Sequence, residues 1–136
     1  MEIVPPAASA LTLYGVLHAD EVESCLVQGS VPTRYLTPEK NYIGLREDAK
    51  AAIERYRQIF GENTTKNQLA VLEVHFTAEG VVRFVTESCG PEDLFCSRLS
   101  KRTYKDYSVD WGVWHFVGDL PLNTPDLLTV QWKRVV

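Results

Sequence analysis

Leu69-Ala70-Val71-Leu72-Glu73-Val74-His75-Phe76 decides how this chain folds. Side chains alternate along an extended strand, so Ala70, Leu72, Val74 and Phe76 share one face and Leu69, Val71, Glu73 and His75 the other. Ala78-Glu79-Gly80 reads as a turn and Val81 to Thr86 as a second strand, which makes the pair a hairpin. Just upstream lies the clearest helix, from about Asp48 to Phe60. Ala49, Ala52, Ile53, Tyr56 and Phe60 lie on one of its faces; Glu47, Lys50, Glu54, Arg55 and Arg57 lie mostly on the other, and Gly61 ends it. This helix is expected to pack Ile53, Tyr56 and Phe60 on a sheet containing Leu72 and Val74, with Glu54 and Arg57 exposed.

Further out, Leu11, Leu13, Gly15 and Leu17 alternate with other residue types and predict a short strand. Asp20 then caps a helix, with Glu23 completing a capping-box-like pair; Val22, Cys25 and Leu26 fall on one helical face and Gly29 suits its end. Val31-Pro32 opens an extended passage through Tyr35-Leu36, and Thr37-Pro38-Glu39 is a cap followed by proline at the first turn. On the other side, Pro91 to Leu99 reads as a short helix with Leu94, Phe95 and Leu99 inward. Val113 to Val117 is a strand, Asp119-Leu120-Pro121 turns the chain, and Leu128 to Val136 closes it with alternating Leu128, Val130 and Trp132. Strands after helices predict an α+β fold with a mostly antiparallel sheet and two to three packed helices.

The chain has 136 residues, 45% hydrophobic and 24% charged, which fits one globular domain over residues 11–136 behind a loose Pro/Ala/Ser-rich arm at 1–10. Lys and Arg number 14 against 18 Asp and Glu, a net charge of −4. That balance lacks the global field of a nonspecific nucleic-acid binder, so nucleic acid is not an expected partner. The basic–aromatic cluster Lys101-Arg102-Thr103-Tyr104-Lys105 reads as a solvated loop. The three cysteines, Cys25, Cys89 and Cys96, fit a reducing compartment without disulfides. Met1 to Pro6 is not a secretory signal, and no run approaches the ~20 apolar residues of a membrane span. The expected location is cytoplasmic, although an effector exported without such a signal would read the same.

The spacings Cys25-x63-Cys89 and Cys89-x6-Cys96 lack the close ligand pairs of structural zinc, so no metal is expected. Gly-x-Gly-x-x-Gly and the P-loop are absent. Cys89 lies in a Gly/Pro turn where a nucleophile would need His75 or His115 and an Asp110 or Asp119, and nothing in the sequence brings these together. His75 and His115 read as half-buried strand residues. His18 sits at a strand-to-helix junction, where helix N-termini attract anions.

The stretch from Leu13-Tyr14-Gly15-Val16-Leu17-His18 to Leu26-Val27-Gln28-Gly29 resembles the opening motif of the ADP-ribosyltransferase superfamily, which includes the RNA 2′-phosphotransferases. There a Leu-Tyr-His-Gly-Thr strand leads into a helix ending in Ile-Leu-x-x-Gly-Leu. Arg34-Tyr35-Leu36-Thr37 with the Ala-rich helix at Asp48 to Tyr56 is similar to the second block of that family. Val71-Leu72-Glu73-Val74 resembles its next strand, and Val117-Gly118-Asp119-Leu120-Pro121 a late Gly-Asp-Ile-Pro turn. The resemblance implies a split α+β fold binding NAD or a related nucleotide in the cleft of the first strand and helix. Tyr14, His18, Arg34 and Tyr35 would contact that ligand, with Tyr35 stacked on nicotinamide. Glu73 or Asp119 would stabilise the developing oxocarbenium charge. Gly15 stands where the family's NAD-contacting His or Arg stands. Two functions therefore fit: an ADP-ribosyl transferase, or a noncatalytic protein-interaction module on the same fold.

Overall fold

The structure, a computed structural model, describes residues 9–32, 42–60, 69–87, 97–101 and 114–134. It is α+β, with antiparallel sheets throughout and three α-helices among the described residues. Strand β4 (Leu69–Phe76) is the middle of the first sheet, between β1 (Leu11–His18) and β8 (Leu128–Arg134). Leu13 pairs with Val74 and Val74 with Val130 in its register. A second sheet orders β3 (Tyr42–Leu45), β6 (Trp114–Val117) and β5 (Leu99–Lys101). The two-residue strands β2 (Ser30–Val31) and β7 (Leu120–Pro121) form a third pair.

The alternation of β4 holds: one face is covered along its length, the other over Leu69 and Val71. Leu72, Val74 and Phe76 join Leu13 and Leu17 in the main core, completed by Leu45, Leu99 and Phe116 of the second sheet and Val31 and Leu120 of the third. Leu69 and Val71 enter a smaller cluster with Val16, Ala52 and Tyr56. The helix α2 (Ala49–Phe60) thus packs on the sheet expected for it, but on the face opposite Leu72 and Val74. Ile53 and Tyr56 are inward as expected; Glu54 is exposed and Arg57 half-buried.

The segment after β4 departs from the expected hairpin. Ala78–Thr86 is a helix, α3. The Thr77 hydroxyl accepts the Gly80 backbone N–H at 2.9 Å, an N-cap bond. Val81, Phe84 and Val85, spaced i, i+3 and i+4, meet the main core, a helical rather than a strand period. Gly80 is a contact glycine, not a turn glycine: a Cβ there would lie 1.9 Å from the Leu127 carbonyl oxygen. Phe84 stacks edge-on against Phe76 and Phe116. Arg98 lies over the Phe116 ring at 4.9 Å and donates from Nε to the Val117 carbonyl at 3.0 Å and from Nη1 to Glu87 at 3.3 Å. It therefore ties the end of α3 to β6.

Four local expectations are corrected. The cap at the end of β1 is His18, whose Nδ1 accepts the Asp20 N–H, and not Asp20; a single 3-10 turn (Ala19–Glu21) precedes α1 (Val22–Gln28), whose own N-cap makes no side-chain bond. On α1, Cys25 is fully buried but Leu26 is 58% exposed, because the helix touches the core along one narrow stripe. Leu99 opens β5 instead of ending a helix, and Leu120-Pro121 are strand, the turn being made by Gly118 at φ 86°. Gly29 ends α1 in the left-handed conformation expected of it, at φ 76°. The extended passage through Leu36, the Thr37 cap, residues 91–96 and Arg102 to Lys105 lie outside the described residues.

Candidate functional site

The outer face of the first sheet changes character along its length. Its rows are His18–Leu69, Val16–Val71–Lys133, Tyr14–Glu73–Gln131 and Thr12–His75–Thr129. Helix α2 covers the apolar rows. The next two rows are polar, because β4 carries Glu73 and His75 there and its neighbours answer with Tyr14, Thr12 and Gln131.

Glu73 is the centre of this patch, its side chain only 12% exposed. His75 Nε2 lies 3.2 Å from Glu73 Oε1, and Lys133 Nζ lies 3.0 Å from Oε2. The Thr12 hydroxyl lies 3.0 Å from His75 Nδ1. The Thr12 hydroxyl and the Glu73 carboxylate thus stand one at each nitrogen of the His75 ring. The result is a hydroxyl–imidazole–carboxylate–ammonium chain across three strands. The hydrogen bond to Glu73 and the carboxylate's charge push the Lys133 ammonium above its ordinary pKa; Tyr14 adds to the rise and desolvation opposes it. A mostly buried carboxylate within ion-pair distance of an imidazole and an ammonium is a group suited to face a cationic centre.

Tyr14 and Glu73 are thus brought together as direct cross-strand partners. His18 shares their face but sits beyond the Val16–Leu69–Val71 patch under α2, where it caps the 3-10 turn. Asp119 is exposed in the turn between β6 and β7, whose sheets pack on the opposite face of β4. Arg34 and Tyr35 lie outside the described residues. Thr12 and Lys133 were not singled out from the sequence. The signal for both was parity: once β4 is central and antiparallel to its neighbours, the odd positions of β8 and even positions of β1 must share the face of Glu73.

A wide-open depression of about 410 Å³ lies along α1, lined by Asp20, Glu23, Ser24, Val27 and Gln28. Val27 is 82% exposed there. No group of three or more His, Cys, Asp or Glu side chains suited to a metal occurs among the described residues, and no helix among them is long and apolar enough to cross a membrane. Compared with family models, curated proteins and solved structures, the chain finds no match in any of the three.

Proposed function

We propose that the chain is a divergent ADP-ribosyltransferase-like domain that binds NAD or a related nucleotide against the polar half of the first sheet. The Tyr14–Glu73 pair carries this reading: an aromatic surface and a partly buried carboxylate stand side by side on adjacent strands. Glu73 is the acidic group that would face a ribose cation as the glycosidic bond to nicotinamide breaks. For that charge to be felt, Lys133 must leave Oε2; its side chain is 65% exposed and can swing into solvent. His75 keeps the carboxylate oriented meanwhile. Tyr35 and Arg34 are the residues the resemblance assigns to nicotinamide and phosphate, while His18 is engaged as a cap. Gly15 pairs with Leu72 on the core face, turned away from this patch, so the position where the family carries its NAD-contacting His or Arg supplies nothing to a ligand here, and affinity is expected to be low.

Ligand-observed NMR with millimolar NAD and, separately, ADP-ribose tests the reading. Weak binding is expected, reduced about tenfold by Glu73→Gln, the equivalent of 1.4 kcal/mol, and abolished by Tyr35→Ala. No binding by the folded protein would remove the nucleotide. The second reading, a noncatalytic interaction module on the same fold, is favoured by one observation: α1 presents Leu26 and Val27 to solvent beside Asp20 and Glu23. Exposed apolar pairs with a polar rim are partner-binding features.

A further inference from the structure

We propose that the outer edge of β8 is a self-association surface on which a second copy of the chain pairs antiparallel, joining the two three-stranded sheets into one of six strands. β1 and β8 are both edges of the first sheet, but they are not equally open. Beyond β1, Arg46 exchanges two backbone hydrogen bonds with Tyr14, at 2.7 and 2.9 Å, which blocks the middle of that edge. Along Leu128–Arg134 the ladder faces β4; among the described residues the one further backbone bond is the local turn from Leu128 N–H to the Thr124 carbonyl. A seven-residue strand whose outer donors and acceptors find no further backbone partner among the described residues is a template for another strand.

The composition of this edge suits pairing. Leu128-Thr129-Val130-Gln131-Trp132 is rich in β-branched and aromatic types and carries no charge. It is also self-complementary. A two-fold axis through Gln131 overlaps the whole strand with its copy. Val130 then falls opposite Trp132, Thr129 opposite Lys133 and Leu128 opposite Arg134. No like charges face each other, and the aromatic–β-branched pair occurs twice. Val130 and Trp132 are half-buried at the rim of the main core, so their pairing extends that core from one copy into the other. Lys133 remains beside Glu73 within its own chain. Closed two-fold pairing of this kind is the commonest form of homo-oligomer. The occupant is therefore a second copy of this chain, and this conclusion stands apart from the nucleotide reading.

Sedimentation velocity of the full chain, from micromolar to near-millimolar concentration, reads the dimer directly. Thr129 is exposed, so Thr129→Lys leaves the fold intact but sets lysine against Lys133 at two symmetric contacts. The expected result is about tenfold weaker association. Gln131→Cys, in a chain with Cys89 and Cys96 changed to serine, places two thiols across the axis at a Cα separation of about 4.5–5.5 Å, within disulfide reach, and should give a covalent dimer on mild oxidation. A wild-type chain that stays monomeric over the whole range overturns the proposal. So does a dimer that ignores Thr129→Lys and fails to cross-link through Gln131→Cys.

Discussion

One face of β4 is apolar from end to end; the other is apolar for two residues and then polar. Leu72, Val74 and Phe76 meet α3 and the second and third sheets, whereas beyond Leu69 and Val71 the covering helix α2 gives out and Glu73 and His75 take over. The difference separates two duties within one strand. The inner face stabilises the fold by excluding water. The polar half of the outer face keeps a nearly buried charge, which costs stability unless it is fully partnered. A strand built for stability alone would carry a branched apolar residue at position 73. The polar rows are therefore where function is sought.

The comparison breaks first if the inner face is not the stabilising one. Phe76 is fully buried between Phe84 and Phe116, so Phe76→Ala should cost about 3–5 kcal/mol in a denaturant titration. A loss under about 1 kcal/mol would move the core elsewhere. Gly80→Ala comes next and has a sign that decides the matter. Helix propensity alone would make it stabilising by about 1 kcal/mol. The 1.9 Å approach to the Leu127 carbonyl makes it destabilising by about 1–3 kcal/mol instead, seen as a lowered melting temperature.

The smallest effect probes the outer face under α2. Burial, helped by the Glu21 charge, raises the Tyr56 hydroxyl above its ordinary pKa. An unfolded tyrosine ionises near pH ~10, and between that value and the higher folded one the native state holds the extra proton. Stability should therefore be unaffected by this group below about pH 10 and fall as pH rises past it. Lys133, also shifted up, acts in the same direction. Tyr56→Phe should shallow the alkaline loss in melting curves taken between neutral and strongly alkaline pH. An unchanged slope would mean Tyr56 is not packed as described.

What could be read from residues alone follows from this division. Strands and helices that bury a regular stripe, such as β4 and α2, announce themselves through their period. Which face of β4 takes α2 does not show, because Leu69/Val71 and Leu72/Val74 are equally apolar. The Val81–Phe84–Val85 spacing and the Thr77 cap of α3 were both present in the sequence. Gly80 hid them, since a glycine needed for contact with a distant backbone looks the same as one needed for a turn. Glu73 could be named from the sequence, but Lys133 and Thr12 reach it only through pairing between strands distant in the chain. Asp119 looked like its counterpart by motif and ended on the other side of the sheet, because the third sheet closes over the inner face of β4.

Every ladder in the first sheet joins segments far apart along the chain: Leu11 meets Phe76, and Phe76 meets Leu128. The middle strand is made before β8 and cannot be completed until it arrives. Pairing of this kind is slow, since long loops must close before any contact rewards them. During that interval Leu69–Phe76, the most apolar strand of the sheet, waits with its β8 edge bare. The arrangement that buries it best in the native state thus makes it the segment most prone to cross-chain aggregation while the protein is folding, and folding yield should fall with concentration well before native stability is affected.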